Sequence, residues 1–174
     1  MKYYKFEPDV NGFDGLKASA QVDKVLKTIK GVPLAETWKS LPVQLDDVTG
    51  VMGDFPGLAG FSNIPVFSQR AWEALEALVG PHVEALPLRY KSSPFFAINV
   101  LAIEDCLDEE KTEFGRLSNN KIYCVEKYVF KRDFTPQSPI FWVKQVQDEV
   151  LVSDAFRKEV KKNGLTGLEW FALK

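Results

Sequence analysis

The sequence predicts an α+β fold in a single domain, with a mostly antiparallel or mixed sheet and two or three packed helices. Three observations carry that prediction. Six or more segments have strand character and do not alternate strictly with the helical ones. Two helical segments bury one apolar face behind a serine cap. The 174 residues are 45% hydrophobic and 13% aromatic, enough for one sizeable core, and thirteen Phe and four Trp make that core aromatic-rich.

Residues 2–6 (KYYKF) read as a short strand, and the Gly/Asp/Asn-rich segment up to residue 20 as a surface loop. Val22, Val25, Leu26 and Ile29 then fall on one face of a short amphipathic helix, with Asp23, Lys24, Lys27 and Lys30 toward water. Trp38, Leu41 and Val43 return to the core. Residues 46–64 (DDVTGVMGDFPGLAGFSNI) are too rich in Gly and Pro for an element and too long for a passive connection. This predicts an ordered loop that packs over a core or presents a surface.

Residues 64–90 form the most legible unit, a strand, capped helix, turn and strand. Val66 and Phe67 are strand formers that stop at Ser68, whose hydroxyl can take a free N–H of the first helical turn. Ala71, Trp72, Leu75, Leu78 and Val79 share one helical face, with Gln69, Arg70, Glu73 and Glu76 opposite, and Gly80-Pro81 stops the helix. Leu86, Leu88 and Tyr90 alternate with Ala85, Pro87 and Arg89 as in a strand with one buried face, Pro87 placing it at an edge.

Residues 95–103 (FFAINVLAI) are a near-continuous apolar run, the pattern of a strand buried on both faces. The run ends in an acidic cluster of Glu104, Asp105, Asp108, Glu109 and Glu110. Residues 122–130 (IYCVEKYVF) read as a further strand, and 140–146 with 150–152 as a hairpin turning at Gln147-Asp148. The grammar of the central unit then recurs: cap Ser153, a helix from 154 to about 163, Gly164 just past its end, and a closing strand over 168–173. Asp154 at the helix start and Lys158, Lys161 and Lys162 toward its end complement the macrodipole. Residues 1–35 thus hold a strand, a loop and a short helix, and 36–174 the body of the domain, the two expected to form one compact unit.

Composition and motifs narrow the function classes. Lys and Arg total 22 against 24 Asp and Glu, a net charge of -2 with no basic run, which disfavours a general polyanion binder. The first residues lack the apolar core of a signal peptide, and no apolar stretch approaches the roughly 18 residues of a membrane span. A cytoplasmic protein is expected, with Cys106 and Cys124 as free thiols. His82 follows Gly80-Pro81 in a turn with no nucleophile beside it in sequence, and the cysteines lack a His pair at zinc-ligand spacing. Gly50-Val-Met-Gly53 and Gly57-Leu-Ala-Gly60 have neither the strand-loop-helix setting nor the Lys-Ser/Thr of a nucleotide loop. The acidic segment EDCLDEE lacks the alternating ligands and central glycine of a calcium hand, and KYVFKRDF at 127–134 alternates as a half-exposed strand does. Neither cofactor nor metal is expected.

Several pieces together match a known pattern. These are Asp54-Phe55-Pro56 in the glycine-rich loop, Pro65-Val66-Phe67-Ser68 leading into the helix with Leu75, and Leu86-Pro87-Leu88. Asn99-Val100 with Asp105 and Asp108 follows, then Ile140-Phe141. The densest part is Val152-Ser153-Asp154, then Asn163-Gly164-Leu165-Thr166-Gly167 and the closing Phe171. On these residues, over roughly 38–174, the chain resembles the bacterial immunity-protein family eleven of polymorphic toxin systems. The resemblance implies a cytoplasmic protein, encoded beside a secreted toxin, that binds the toxin to protect the producing cell. It carries over no catalytic residue.

The leading expectation is therefore a stoichiometric binder of a cognate toxin and not an enzyme. Asp54 and Phe55 in the long loop are the expected anchors, and Asp105, Asp108, Glu109 and Glu110 the expected electrostatic steering residues. Each has a structural alternative: Asp54 and Asp105 as caps of backbone amides, Phe55 as core. Two other classes stay open. One is an enzyme reversing a toxin's modification, built on Cys106 or Cys124 with His82 or on paired carboxylates. The other is an adaptor with no toxin partner. A homodimer is compatible with the sequence, although no heptad pattern marks one.

Overall fold

The structure, a computed structural model, describes residues 2–46 and 49–173, so residues 47 and 48 of the expected long loop lie outside the described residues. It is an α+β domain built on two sheets. The first has five strands in the order Ala172–Leu173, Tyr3–Lys5, Val146–Ser153, Ile140–Val143 and Ile103–Glu104. All its pairs are antiparallel except the last. The second has four strands, Leu41–Pro42, Val83–Tyr90, Ser93–Val100 and Val66–Ser68, in which only Leu41–Pro42 runs parallel to its neighbour. Three short ribbons complete the strand pairing, the longest joining Glu113–Arg116 to Ile122–Lys127.

Helices α1 (Ala20–Leu26), α2 (Gln69–Val79) and α3 (Asp154–Lys162) each start on a serine. Ser19, Ser68 and Ser153 accept hydrogen bonds from the backbone N–H groups of Val22, Ala71 and Phe156, relieving one of the orphan donors that every helix start carries. Gly164, at φ +60°, supplies the left-handed residue that ends α3.

Layers follow from which faces are apolar. The central core takes one face of each sheet together with α2 and α3: Tyr4, Trp142 and Val152 from the five-stranded sheet with Phe6 just past its Tyr3–Lys5 strand, Phe67, Ile98 and Val100 from the other, Leu75 and Phe156 from the helices. The four-stranded sheet's other face, with Leu86, Leu88 and Phe95, is covered by α1 and by Leu58, Phe61 and Ile64 of the long loop. The five-stranded sheet's other face, with Phe141 and Val143, is covered by Cys106, Leu107, Val125 and Tyr128. Both sheets are therefore buried on both sides.

Four local expectations are corrected. The run 95–103 is two strands in different sheets: Val100 ends the hairpin strand fully buried, whereas Ile103 sits on the edge of the five-stranded sheet and is 56% exposed. The closing hairpin turns at Lys144–Gln145, not at Gln147-Asp148. The polar triplet Gln147-Asp148-Glu149 stays in the strand because Glu149 has partners there, Lys5 Nζ at 3.2 Å and the Val125 N–H at 3.3 Å. Val25 lies outside, since a seven-residue helix buries only its Val22–Leu26 stripe. Pro87 lies in a strand with neighbours on both sides, but the outer one is only the two-residue Leu41–Pro42. The Pro87 carbonyl faces outward to the Trp38 indole N–H at 3.1 Å, so its missing N–H falls on that outer side and costs the hairpin ladder nothing.

Candidate functional site

Asp54 and Phe55 are enclosed. Asp54, 6% exposed, accepts hydrogen bonds from Ser68 Oγ, Arg70 Nη1 and the Thr166 N–H, each at 2.9 Å. Arg70 in turn donates to the carbonyls of Asn163 and Gly164. One carboxylate thus ties the long loop, the start of α2 and the turn after α3. Phe55, 1% exposed, meets Phe67 edge-on at 5.2 Å between ring centroids and Phe6 at 5.8 Å, a geometry in which ring edges meet ring faces. Residues so enclosed offer no contact surface, and the anchoring role expected of them passes to their structural alternative.

The acidic segment is a loop over the outer face of the five-stranded sheet, pinned by Cys106 and Leu107 in the core beneath. Asp105 is ion-paired to Lys131 at 2.6 Å and Lys144 at 3.1 Å and accepts from Gln145 Nε2 at 2.9 Å. These hydrogen bonds, Lys131 first, hold its carboxyl well below the usual range. Asp108 pairs with Lys111 at 2.6 Å, which likewise lowers it. Glu109 accepts from Gln145 Nε2 at 2.9 Å and remains exposed, as does Glu110. Loop and lysines together form a largely neutralised network.

The chemistry weighed in sequence is not assembled. Cys106 is fully buried and burial pushes its thiol up to about 12, the opposite of what a nucleophile needs. Cys124 lies in the ribbon against Gly115, and His82 in the turn after α2. Among the described residues, no group of three His, Cys, Asp or Glu is gathered that could hold a metal ion. No helix among them is long and apolar enough to cross a membrane.

A cleft of about 460 Å³ opens where the two sheets and α1 meet. Its floor is apolar and buried: Leu26 and Ile29 from α1 and the turn after it, Phe61 and Ile64 from the long loop, Trp142 from the five-stranded sheet. Lys27 and Lys30 stand on one wall, Ile103 and Asp148 on the other. A second depression, lined by Val10, Leu58 and Phe61 with Glu7 and Asp46 at its rim, lies across the Gly60–Phe61 ridge. The turn beside Lys30 is clamped from within. Buried Asn99 accepts from the Gly31 N–H at 3.0 Å and donates to the Val32 carbonyl at 2.7 Å and to Glu84 at 2.9 Å. Glu84 accepts from the Leu34 and Ala35 N–H groups. Burial would raise the Glu84 pKa, but these hydrogen bonds outweigh it and hold the carboxyl low.

A family model of immunity proteins matches residues 85–174, just over half of the 174-residue chain. The chain belongs to the Imm11 immunity protein family. A comparison with curated proteins gives no match. The Imm11 match takes in the second strand of the hairpin, the acidic loop, most of the five-stranded sheet and α3. Within it lie Ile103, Trp142 and Asp148 of the cleft, while α1 and the long loop, which supply the opposite wall, precede it. The cleft is not legible in the sequence pattern. The available signals were Lys24, Lys27 and Lys30 at a spacing of three, and an apolar run carried on to Ile103 past the end of its strand.

Proposed function

We propose that this protein binds a cognate bacterial toxin stoichiometrically and neutralises it in the cytoplasm of the producing cell, without catalysis. The observation that carries the reading is membership of the Imm11 immunity family. The toxin in this reading is encoded by an adjacent gene, and protection comes from covering its active site or holding it inactive. Of the residues expected from sequence to meet the partner, Glu109 and Glu110 keep exposed carboxylates. Asp105 and Asp108 are already paired with lysines.

The test is co-expression of the tagged protein with the product of the neighbouring toxin gene, scoring growth and co-purification. Rescue of growth together with a stable one-to-one complex is the expected result. Rescue with no complex would favour the alternative of an enzyme reversing the toxin's modification, and neither would remove the immunity reading.

A further inference from the structure

We propose that the cleft between α1 and the Ile103–Glu104 edge is the surface that docks the toxin, and that it takes an acidic segment carrying a large apolar side chain. The assignment rests on the toxin-binding reading above. Its chemistry is read from the cleft itself.

Leu26, Ile29, Phe61, Ile64 and Trp142 are packed into the core and form an apolar floor beneath the cleft. A concave apolar floor in a preorganised frame is where a binding hot spot forms, because an inserted side chain loses water on all sides while little of the frame has to be ordered. One large apolar residue of the lining, Ile103, stands outside the core at 56% exposure. Asn99 and Glu84 fix the backbone at 31–35, so the Lys30 side of the cleft is held in place before any partner arrives.

The charges decide what enters. Lys24, Lys27 and Lys30 are all exposed, and none makes an ion pair among the described residues. Asp148 is the one acid lining the cleft among the described residues. This is the reverse of the acidic loop, where Asp105 holds two lysines. A basic wall left unpaired around an apolar floor is complementary to carboxylates flanking an apolar anchor. The cleft and the acidic loop also lie on opposite faces of the five-stranded sheet. An acidic segment of the toxin is therefore attracted to the first, whereas the lysines at the second are already held by Asp105, which orients its approach.

The test measures affinity for the toxin encoded by the adjacent gene, made harmless by an active-site substitution, at low and high salt. It compares the parent with Ile103→Glu, with Lys27→Glu/Lys30→Glu, and with Glu109→Lys/Glu110→Lys as the control on the opposite face. All five positions are exposed, and unchanged thermal midpoints verify folding. Ile103→Glu is expected to weaken binding about 100-fold, and the lysine reversal at least about tenfold, with most of the latter loss disappearing at high salt. The control is expected to stay within about threefold of the parent. A parent that does not bind the toxin overturns the toxin-binding reading itself. Tight parental binding with unchanged cleft variants overturns only the surface assignment. So does a cleft whose variants abolish self-association of the free protein while toxin affinity holds, because the occupant is then a second copy.

Discussion

Asp54 and Asp105 look alike on a contact diagram and differ in what they do. Each carboxylate accepts from donors on three residues, and each includes a cationic partner. Asp54 is out of water and joins segments nearly a hundred residues apart, Ser68 and Arg70 on one side and Thr166 on the other. Asp105 keeps 41% of its side chain exposed, and its lysines would be well hydrated without it. The lesson is that partner number does not measure worth. A carboxylate matters as much as the polar groups it would leave dry and unmatched if removed.

Substitutions test that contrast, beginning with the aromatic cluster that Asp54 closes over. Phe55→Ala is expected to cost about 3–5 kcal/mol, the range for a large ring lost from a packed core, read as a drop in urea midpoint at constant slope. An unchanged midpoint would place Phe55 outside the core and reopen its role as an anchor. Asp54→Ala should cost about 2–3 kcal/mol, less than breaking a fully buried pair because Arg70 can reach solvent. Hydrogen exchange at Ala71 and Thr166 should rise with it. Asp105→Asn should cost less than about 1 kcal/mol, as for exposed pairs, and less again in high salt; a loss equal to that of Asp54→Ala would erase the distinction.

The smallest effect is in pH. The carboxyls of Asp105 and Asp108 are lowered in the folded protein by their lysine partners. Their stabilisation is therefore complete above the unfolded aspartate value of about 3.9 and is lost as pH falls through that value toward the folded ones. Denaturant midpoints of the parent and of Asp105→Asn, followed downward from pH 6, should converge below about pH 4. Parallel curves across that range would show that Asp105 contributes nothing through its charge.

What was legible in the chain follows from range. The caps Ser68 and Ser153, the apolar face of α2 and the left-handed Gly164 depend on residues within four positions of one another. Their patterns are therefore complete in the local sequence. The turn at Lys144–Gln145 is hidden in the sequence because the polar triplet after Val146 looks like a turn until Lys5 and Val125 are brought to Glu149. Ile103 looks buried in the sequence because hydrophobicity alone does not show where one sheet hands the chain to another.

Sequence by itself determined the α+β class, the aromatic core, the helix starts and the kinship with immunity proteins, since all of these are written in residue type and short spacing. Only the tertiary structure decided which acids are spent and which bases are left over. Asp105 finds Lys131 and Lys144 across 26 and 39 positions of chain, whereas Lys27 and Lys30 meet no acid in an ion pair among the described residues. Charge pairing at that distance is set by how sheets stack. The candidate surface therefore lies at the basic cleft and not at the conspicuous acidic run.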